Sequence, residues 1–122
     1  MELIHLRRAG ISVIFDTSSG TPAILHWGAE LPDVSAPEDF VRTQLELTPP
    51  CDFDQPQTIG IWRENARGFL GRPTVIGSRE GADFSQKFDL RDIKRHDEHT
   101  VEFCSVDADA ELRSEEHTSE LQ

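Results

Sequence analysis

Residues Ile11 to Asp16, ISVIFD, alternate with a period of two, so that Ile11, Val13 and Phe15 share one face and Ser12, Ile14 and Asp16 the other. A helix would scatter these positions around its circumference, whereas a strand sorts them, and the period commits the segment to a strand with one face buried. Thr17 to Pro22, TSSGTP, then gathers turn formers, with Gly20 able to take a positive φ and Pro22 closing the turn. The chain's densest apolar run follows, AILHWGAEL from Ala23 to Leu31, with one of the two tryptophans. Strand, turn and returning apolar run make a β-hairpin whose second arm is Ala23 to Trp27 and whose end is Gly28. Glu2 to Arg7 read as a further strand before it, separated by Arg8-Ala9-Gly10. His26, at the strand end, is expected to be packed or bonded to the turn rather than part of a site.

Leu31 to Pro37 is expected to be loop. Pro37-Glu38-Asp39 then reads as a helix start, with Pro at the first position and acids at the positive end of the dipole. Phe40, Val41, Gln44 and Leu45 supply a stripe for about two to three turns, ending before Pro49-Pro50. Cys51 to Gln57 is polar and broken by proline, hence loop. Thr58 to Arg63 and Phe69 to Ile76 carry the next apolar groups and read as a second group of strands, anchored by Trp62, Phe69 and Gly71-Arg72-Pro73. Gly77 to Asp83, GSREGAD, reads as a simple turn, because no helix follows to aim free amides at a phosphate. Phe84 to Lys94 and Thr100 to Val106 form a last hairpin, with Phe88 and Leu90 alternating in one arm and Val101 and Phe103 in the other. Its tip, Arg95 to His99, holds His96 and His99, but a hairpin tip splays ligands into solvent and no metal is expected there. The fold class expected is all-β, an antiparallel β-sandwich with one short helix.

The chain has 122 residues, room for one small domain or a piece of something larger. Hydrophobic residues make up 36% and the formal charge is -11, which leans toward a well-solvated or incomplete fold, although seven Phe and two Trp remain for a core. That acidity argues against nucleic acid and anionic membrane surfaces, since no cluster of Lys and Arg is free of neighbouring acids. No signal-peptide core or spanning segment follows Met1, so the expected compartment is the cytoplasm, and Cys51 and Cys104 are expected to be reduced thiols.

Arg113 to Gln122, RSEEHTSELQ, differs in character from everything before it. All ten codons fit one frame of AGATCGGAAGAGCACACGTCTGAACTCCAG, the start of a common sequencing-library adapter. The expectation is therefore that natural coding sequence ends near Leu112 and that 113–122 is an adapter-derived, disordered tail. Without it Lys and Arg number 11 and Asp and Glu 20, a charge of about -9.

Chemistry is scarce. Ser18, Ser19 and Ser78 lie in turns without a nucleophile elbow, neither cysteine has a sequence-adjacent histidine, and acid pairs are too common to single one out. No catalytic residue and no cofactor is expected.

A resemblance supplies what the residues alone do not. His5-Leu6-Arg7, Gly10 to Asp16 and Leu25-His26-Trp27-Gly28-Ala29-Glu30-Leu31 resemble the opening strands of glycoside hydrolase family 36, the α-galactosidases, particularly the actinobacterial kind. Gly71-Arg72-Pro73, Gly77-Ser78-Arg79-Glu80-Gly81 and Asp83-Phe84-Ser85 with Phe88 resemble that family's next run, and Thr100 to Asp107 the strand after it. The resemblance implies that residues 1–112 are the N-terminal part of a β-supersandwich domain. A (β/α)8 barrel with the two carboxylates of a retaining mechanism would follow, so that this fragment is not itself catalytic. It further implies an α-galactoside substrate for the parent enzyme and a homo-oligomer formed through the N-terminal domain. A pocket-rim loop, Gly68 to Pro73, would offer Phe69 as an apolar face and Arg72 as a hydrogen-bond fork. The alternative is a free-standing β-sandwich module that binds carbohydrate or another partner. Because truncation leaves strand edges unpaired, the fragment is expected to be marginal alone.

Overall fold

The structure is a computed structural model and describes residues 3–33, 37–43, 50 and 58–119. Its strands are β1 (Leu3–Arg8), β2 (Ile11–Asp16), β3 (Ala23–Ala29), β4 (Asp89–Asp97), β5 (Thr100–Asp107) and β6 (Leu112–Ser119). One helix, α1 (Pro37–Arg42), and a 3-10 turn at Asn65–Arg67 accompany them. The strands build two antiparallel sheets, in the orders β1-β2-β3 and β4-β5-β6.

Between the sheets lies the core. Ile4 and Leu6 of β1 and Val13 and Phe15 of β2 meet Val101 and Phe103 of β5, with Ile61, Leu90 and Ile93 packed against them. Phe15 and Phe103 approach edge to face, ring centres 5.1 Å apart at 62°, the arrangement that brings a positive ring edge to a negative face. One face of each sheet thus covers the other, and the molecule is the all-β antiparallel sandwich that the alternation predicts. The register pairs Ile4 with Phe15 and Leu6 with Val13, keeping the expected inward set on one side.

The other face of the first sheet is closed by the chain that follows β3. Leu31 N–H donates to Ser12 Oγ at 2.9 Å, and Arg7 pairs with Asp33 at 2.7 Å. Ser12 and Ile14 are both buried although they face away from the core. At β3 the cover ends. Register places Trp27 beside Val13 and Ile24 beside Phe15, yet Trp27 is 62% and Ile24 44% exposed, because the second sheet does not extend over this edge.

Three turns begin with an aspartate that accepts from the backbone just ahead. Asp16 takes Ser18 N–H at 2.9 Å, Asp97 takes His99 N–H at 2.7 Å, and Asp107 takes Asp109 and Ala110 N–H at 3.0 and 3.1 Å. Part of the chain's acidity is therefore turn chemistry.

The β1–β2 turn works differently. Ala9 and Gly10 have φ of 53° and 80°, the two-residue type I′ geometry that matches strand twist. Glycine meets that demand without strain and alanine does not. Ala9→Asn, which restores the favoured Asn-Gly pair, is expected to stabilise the fold by about 0.5–1 kcal/mol. A urea midpoint no higher than that of the parent chain would count against this turn assignment.

Several boundaries move. β3 continues through Gly28 to Ala29 because β2 still offers Ser12 and Ile11 as partners, so Gly28 does not end it. β4 starts at Asp89 rather than Phe84 and runs to Asp97, which reduces the tip to Glu98-His99. The helix starts at Pro37 as expected and is described to Arg42, while the remainder of its expected span and the loop Cys51 to Gln57 lie outside the described residues.

Two expectations are corrected outright. Thr58 to Arg63 and Phe69 to Ile76 are not strands, and between residues 58 and 88 the only ladder contact is an isolated bridge from Arg79 to Ala82. The apolar groups there are real, but scattered backbone bonds, such as Ile61 N–H to Pro22 O at 2.8 Å and Thr74 N–H to Arg63 O at 2.9 Å, and side chains satisfy the backbone in place of a neighbouring strand. The tail is the second correction. Leu112–Ser119, expected to be disordered over most of its length, pairs with β5 from Asp107↔Leu112 to Thr100↔Ser119. The free edge of β5 presents unpaired N–H and C=O groups that bond any extended backbone, whatever its side chains, and the Asp107 turn delivers the chain to it.

Candidate functional site

Two polar constellations stand out, and both are built on the second sheet. The first joins the 3-10 turn to the start of β4. Arg67 Nε donates to Glu64 Oε2 at 2.8 Å, and its Nη2 donates to Phe88 O at 2.9 Å and Asp89 Oδ1 at 2.6 Å. Glu64 Oε1 in turn accepts Phe88 N–H at 2.5 Å. Glu64 and Arg67 are 4% and 8% exposed, so this is a buried ion pair with further hydrogen bonds to the Phe88 backbone and the Asp89 side chain. Trp62 packs on Phe88 with ring centres 5.2 Å apart and shields it.

That network is the base of a loop. Gly68 caps the turn in the left-handed region at φ 87°, its N–H donating to Asn65 O. Arg63 and Thr74 close the neck: Thr74 N–H donates to Arg63 O at 2.9 Å, and Arg63 N–H to Thr74 Oγ1 at 3.0 Å. Across the loop the Asn65 side-chain amide donates to Phe69 O at 2.7 Å and Gly71 O at 3.1 Å. The two residues expected to meet a sugar, Phe69 and Arg72, both lie on this loop, which places Arg72 in solvent and leaves Phe69 half-buried. Arg63 lies over the Phe69 ring, 5.6 Å from its centre.

Beside the loop, Trp62, Pro73, Phe84 and Gln86 line a crevice of about 10 Å³. That is room for a water molecule, not for a sugar ring. A binding function resident in this crevice is thereby disfavoured.

The second constellation lies on the face of β5 turned away from the core. Glu102 accepts from Cys104 Sγ at 3.1 Å, His96 Nε2 at 2.8 Å and Lys94 Nζ at 3.0 Å. The Cys104 thiol first, then His96 and Lys94, hold the Glu102 carboxyl down at about 2. The same contact, with burial, pushes the Cys104 thiol up, and Lys94 is raised by its bond to Glu102. A thiol held protonated against a carboxylate is a poor nucleophile, and His96 is bonded to Glu102 instead of serving as base to Cys104. Hence this is a structural cluster rather than a cysteine–histidine pair.

Its consequence is a pH dependence. The carboxyl is lower in the folded chain than its ordinary 4.5, so its contribution is present above that value and is lost as pH falls toward about 2. Wild-type stability is expected to drop across that window more steeply than that of Glu102→Gln. Parallel urea midpoints for the two chains from pH 5 to pH 2 would refute it.

Other sequence candidates resolve simply. Glu80 and Gly81, at φ 52° and 84°, form a tight turn closed by paired Arg79 and Ala82 backbone bonds, with Gln86 holding Asp83 O at 2.7 Å. No helix follows it, as expected of a turn. His26 Nε2 bonds Ala29 O at 3.1 Å, a backbone partner within β3 itself, because the strand runs on past the end expected at Gly28. Among the described residues no group of three or more His, Cys, Asp or Glu is placed to share a metal ion. No described helix is long and apolar enough to cross a membrane.

Sequence reading did not single out Glu64, Asn65 or Arg67, because an acid three residues before an arginine in a loop looks like surface charge. Only the docking of β4 onto the turn buries the pair.

The fold and the loop define an antiparallel β-sandwich that displays one clamped, solvent-facing loop and holds no catalytic constellation among its described residues. In comparisons with known proteins, the chain matches no protein-family model, no curated protein and no solved structure.

Proposed function

We propose that residues 1–112 are the N-terminal part of the β-supersandwich domain of a cytoplasmic, retaining α-galactosidase resembling glycoside hydrolase family 36. Its role is non-catalytic: it scaffolds the parent enzyme and rims the sugar pocket with the loop that carries Phe69 and Arg72. The substrate of the parent is a terminal α-galactoside, and the N-terminal domain contributes to a homo-oligomer. Hydrolysis belongs to residues beyond this chain.

The observation that carries this reading is the loop itself. Gly68 to Pro73 is the segment the resemblance assigns to the rim, and it is clamped at its neck and across its span while its tip faces solvent. A loop of this size with internal closure commonly serves recognition. The apolar edge at Trp27 and Ile24 is a second support, since a sandwich continued by further strands would cover it. The all-β class agrees with a supersandwich fragment.

The test is to recover the source DNA past the codon for Leu112 and express the product. More sandwich and a barrel, with cleavage of an aryl α-galactoside and retention of anomeric configuration, is the expected result. A stop codon directly after that position would refute the proposal.

A further inference from the structure

We propose that the segment after β3 is a strap, Glu30 to Asp33, latched to the outer face of the first sheet through the Ser12 hydroxyl, and that protonation of His5 releases the latch. Both residues stand on that face, Ser12 opposite Arg7 in the β1–β2 register and diagonal to His5. Leu31 N–H donates to Ser12 Oγ at 2.9 Å, and His5 Nε2 lies 2.8 Å from the same oxygen. Two further bonds hold the strap, Glu30 N–H to Gly10 O at 2.9 Å and Arg7 to Asp33 at 2.7 Å.

A hydroxyl has one hydrogen to give. Leu31 N–H already occupies an acceptor site of Ser12 Oγ, so that hydrogen goes to His5 Nε2, which takes it only while the ring is neutral with its own proton on Nδ1. Protonation turns Nε2 into a donor. Ser12 must then accept a second bond and turn its hydrogen elsewhere, yet its Oγ has no third partner among the described residues, and at 0% exposure bulk water does not reach it. The surroundings of the ring favour the neutral form. Burial and the Arg7 guanidinium, with His26 of β3, hold the His5 pKa below its ordinary 6.5, while Asp33 and Glu30 of the strap pull the other way. Release of the strap restores the ordinary affinity for a proton, so the latch is shut above 6.5 and opening grows as pH falls below it. Between pH 7 and pH 5 ordinary carboxylates keep their charge, which leaves histidine as the side chain that titrates.

The test is hydrogen exchange of the Leu31 amide in the whole chain, read by NMR as protection relative to the intrinsic rate at each pH. Protection is expected to fall severalfold from pH 7 to pH 5, with a ceiling of about thirtyfold set by a ring that titrates at 6.5 in the open form. The Val13 amide, in the central strand, is expected to keep its protection. His5→Gln offers Ser12 an amide oxygen at every pH and is expected to abolish the dependence, whereas His26→Gln is expected to retain it. Ser12→Ala is expected to give low Leu31 protection at both pH values and a His5 that titrates closer to 6.5. Leu31 protection that is constant from pH 7 to pH 5, or that falls equally in His5→Gln, would overturn the proposal. A loss shared by Val13 would overturn it as well, since that is unfolding of the sheet rather than release of a strap.

Discussion

Arg67→Ala is expected to cost about 3–5 kcal/mol, the largest loss of any single charge removal among the described residues. The reason is not the worth of the ion pair but what its removal leaves behind. Glu64 is 4% exposed and would keep a carboxylate that its partner no longer neutralises, while Phe88 O would lose its donor. A small domain has only about 5–15 kcal/mol in total, so the variant is expected to be largely unfolded or to melt far below the parent. Glu64→Leu combined with Arg67→Met should recover only part of the loss, because it removes the buried charges but leaves Phe88 N–H and C=O without the partners they have here. Urea unfolding followed by tryptophan fluorescence measures both. A loss under about 1 kcal/mol for Arg67→Ala would mean that water screens the network after all.

Phe103→Ala is expected to cost a similar amount, about 3–5 kcal/mol, for a different reason. Phe103 is 1% exposed at the centre of the core, and its truncation opens a cavity between the sheets and removes the edge-to-face contact with Phe15. The conservative Phe103→Leu should cost under about 1.5 kcal/mol if the site can repack. Coupling of about 0.5–1.5 kcal/mol is expected between Phe15→Leu and Phe103→Leu in a double-mutant cycle. Additive effects would place the two rings in separate environments and contradict the sandwich.

These two predictions also mark the division between what was legible in the chain and what was not. Phe103 was readable: Val101 and Phe103 alternate with Glu102 and Cys104, and period two alone assigns them to one face. Arg67 was not. Nothing local distinguishes Glu64 and Arg67 from solvated surface charge, since their burial depends on β4 arriving from more than twenty residues downstream. The loop shows the same limit. Gly68 to Pro73 could be singled out by resemblance, but the bonds that clamp it and the guanidinium over Phe69 depend on where Asn65 and Arg63 project in space.

By itself, the sequence determined the strand periods, the hairpin turns and the all-β class, because these follow from interactions between residues a few positions apart. It did not determine that residues 58–88 would be irregular, that Leu112–Ser119 would add to β5, or that Glu64 and Arg67 would be buried. Those outcomes belong to the tertiary structure for one physical reason. Whether a backbone amide or a charged side chain is satisfied depends on partners distant in the chain, and only packing one sheet against the other decides which partners arrive.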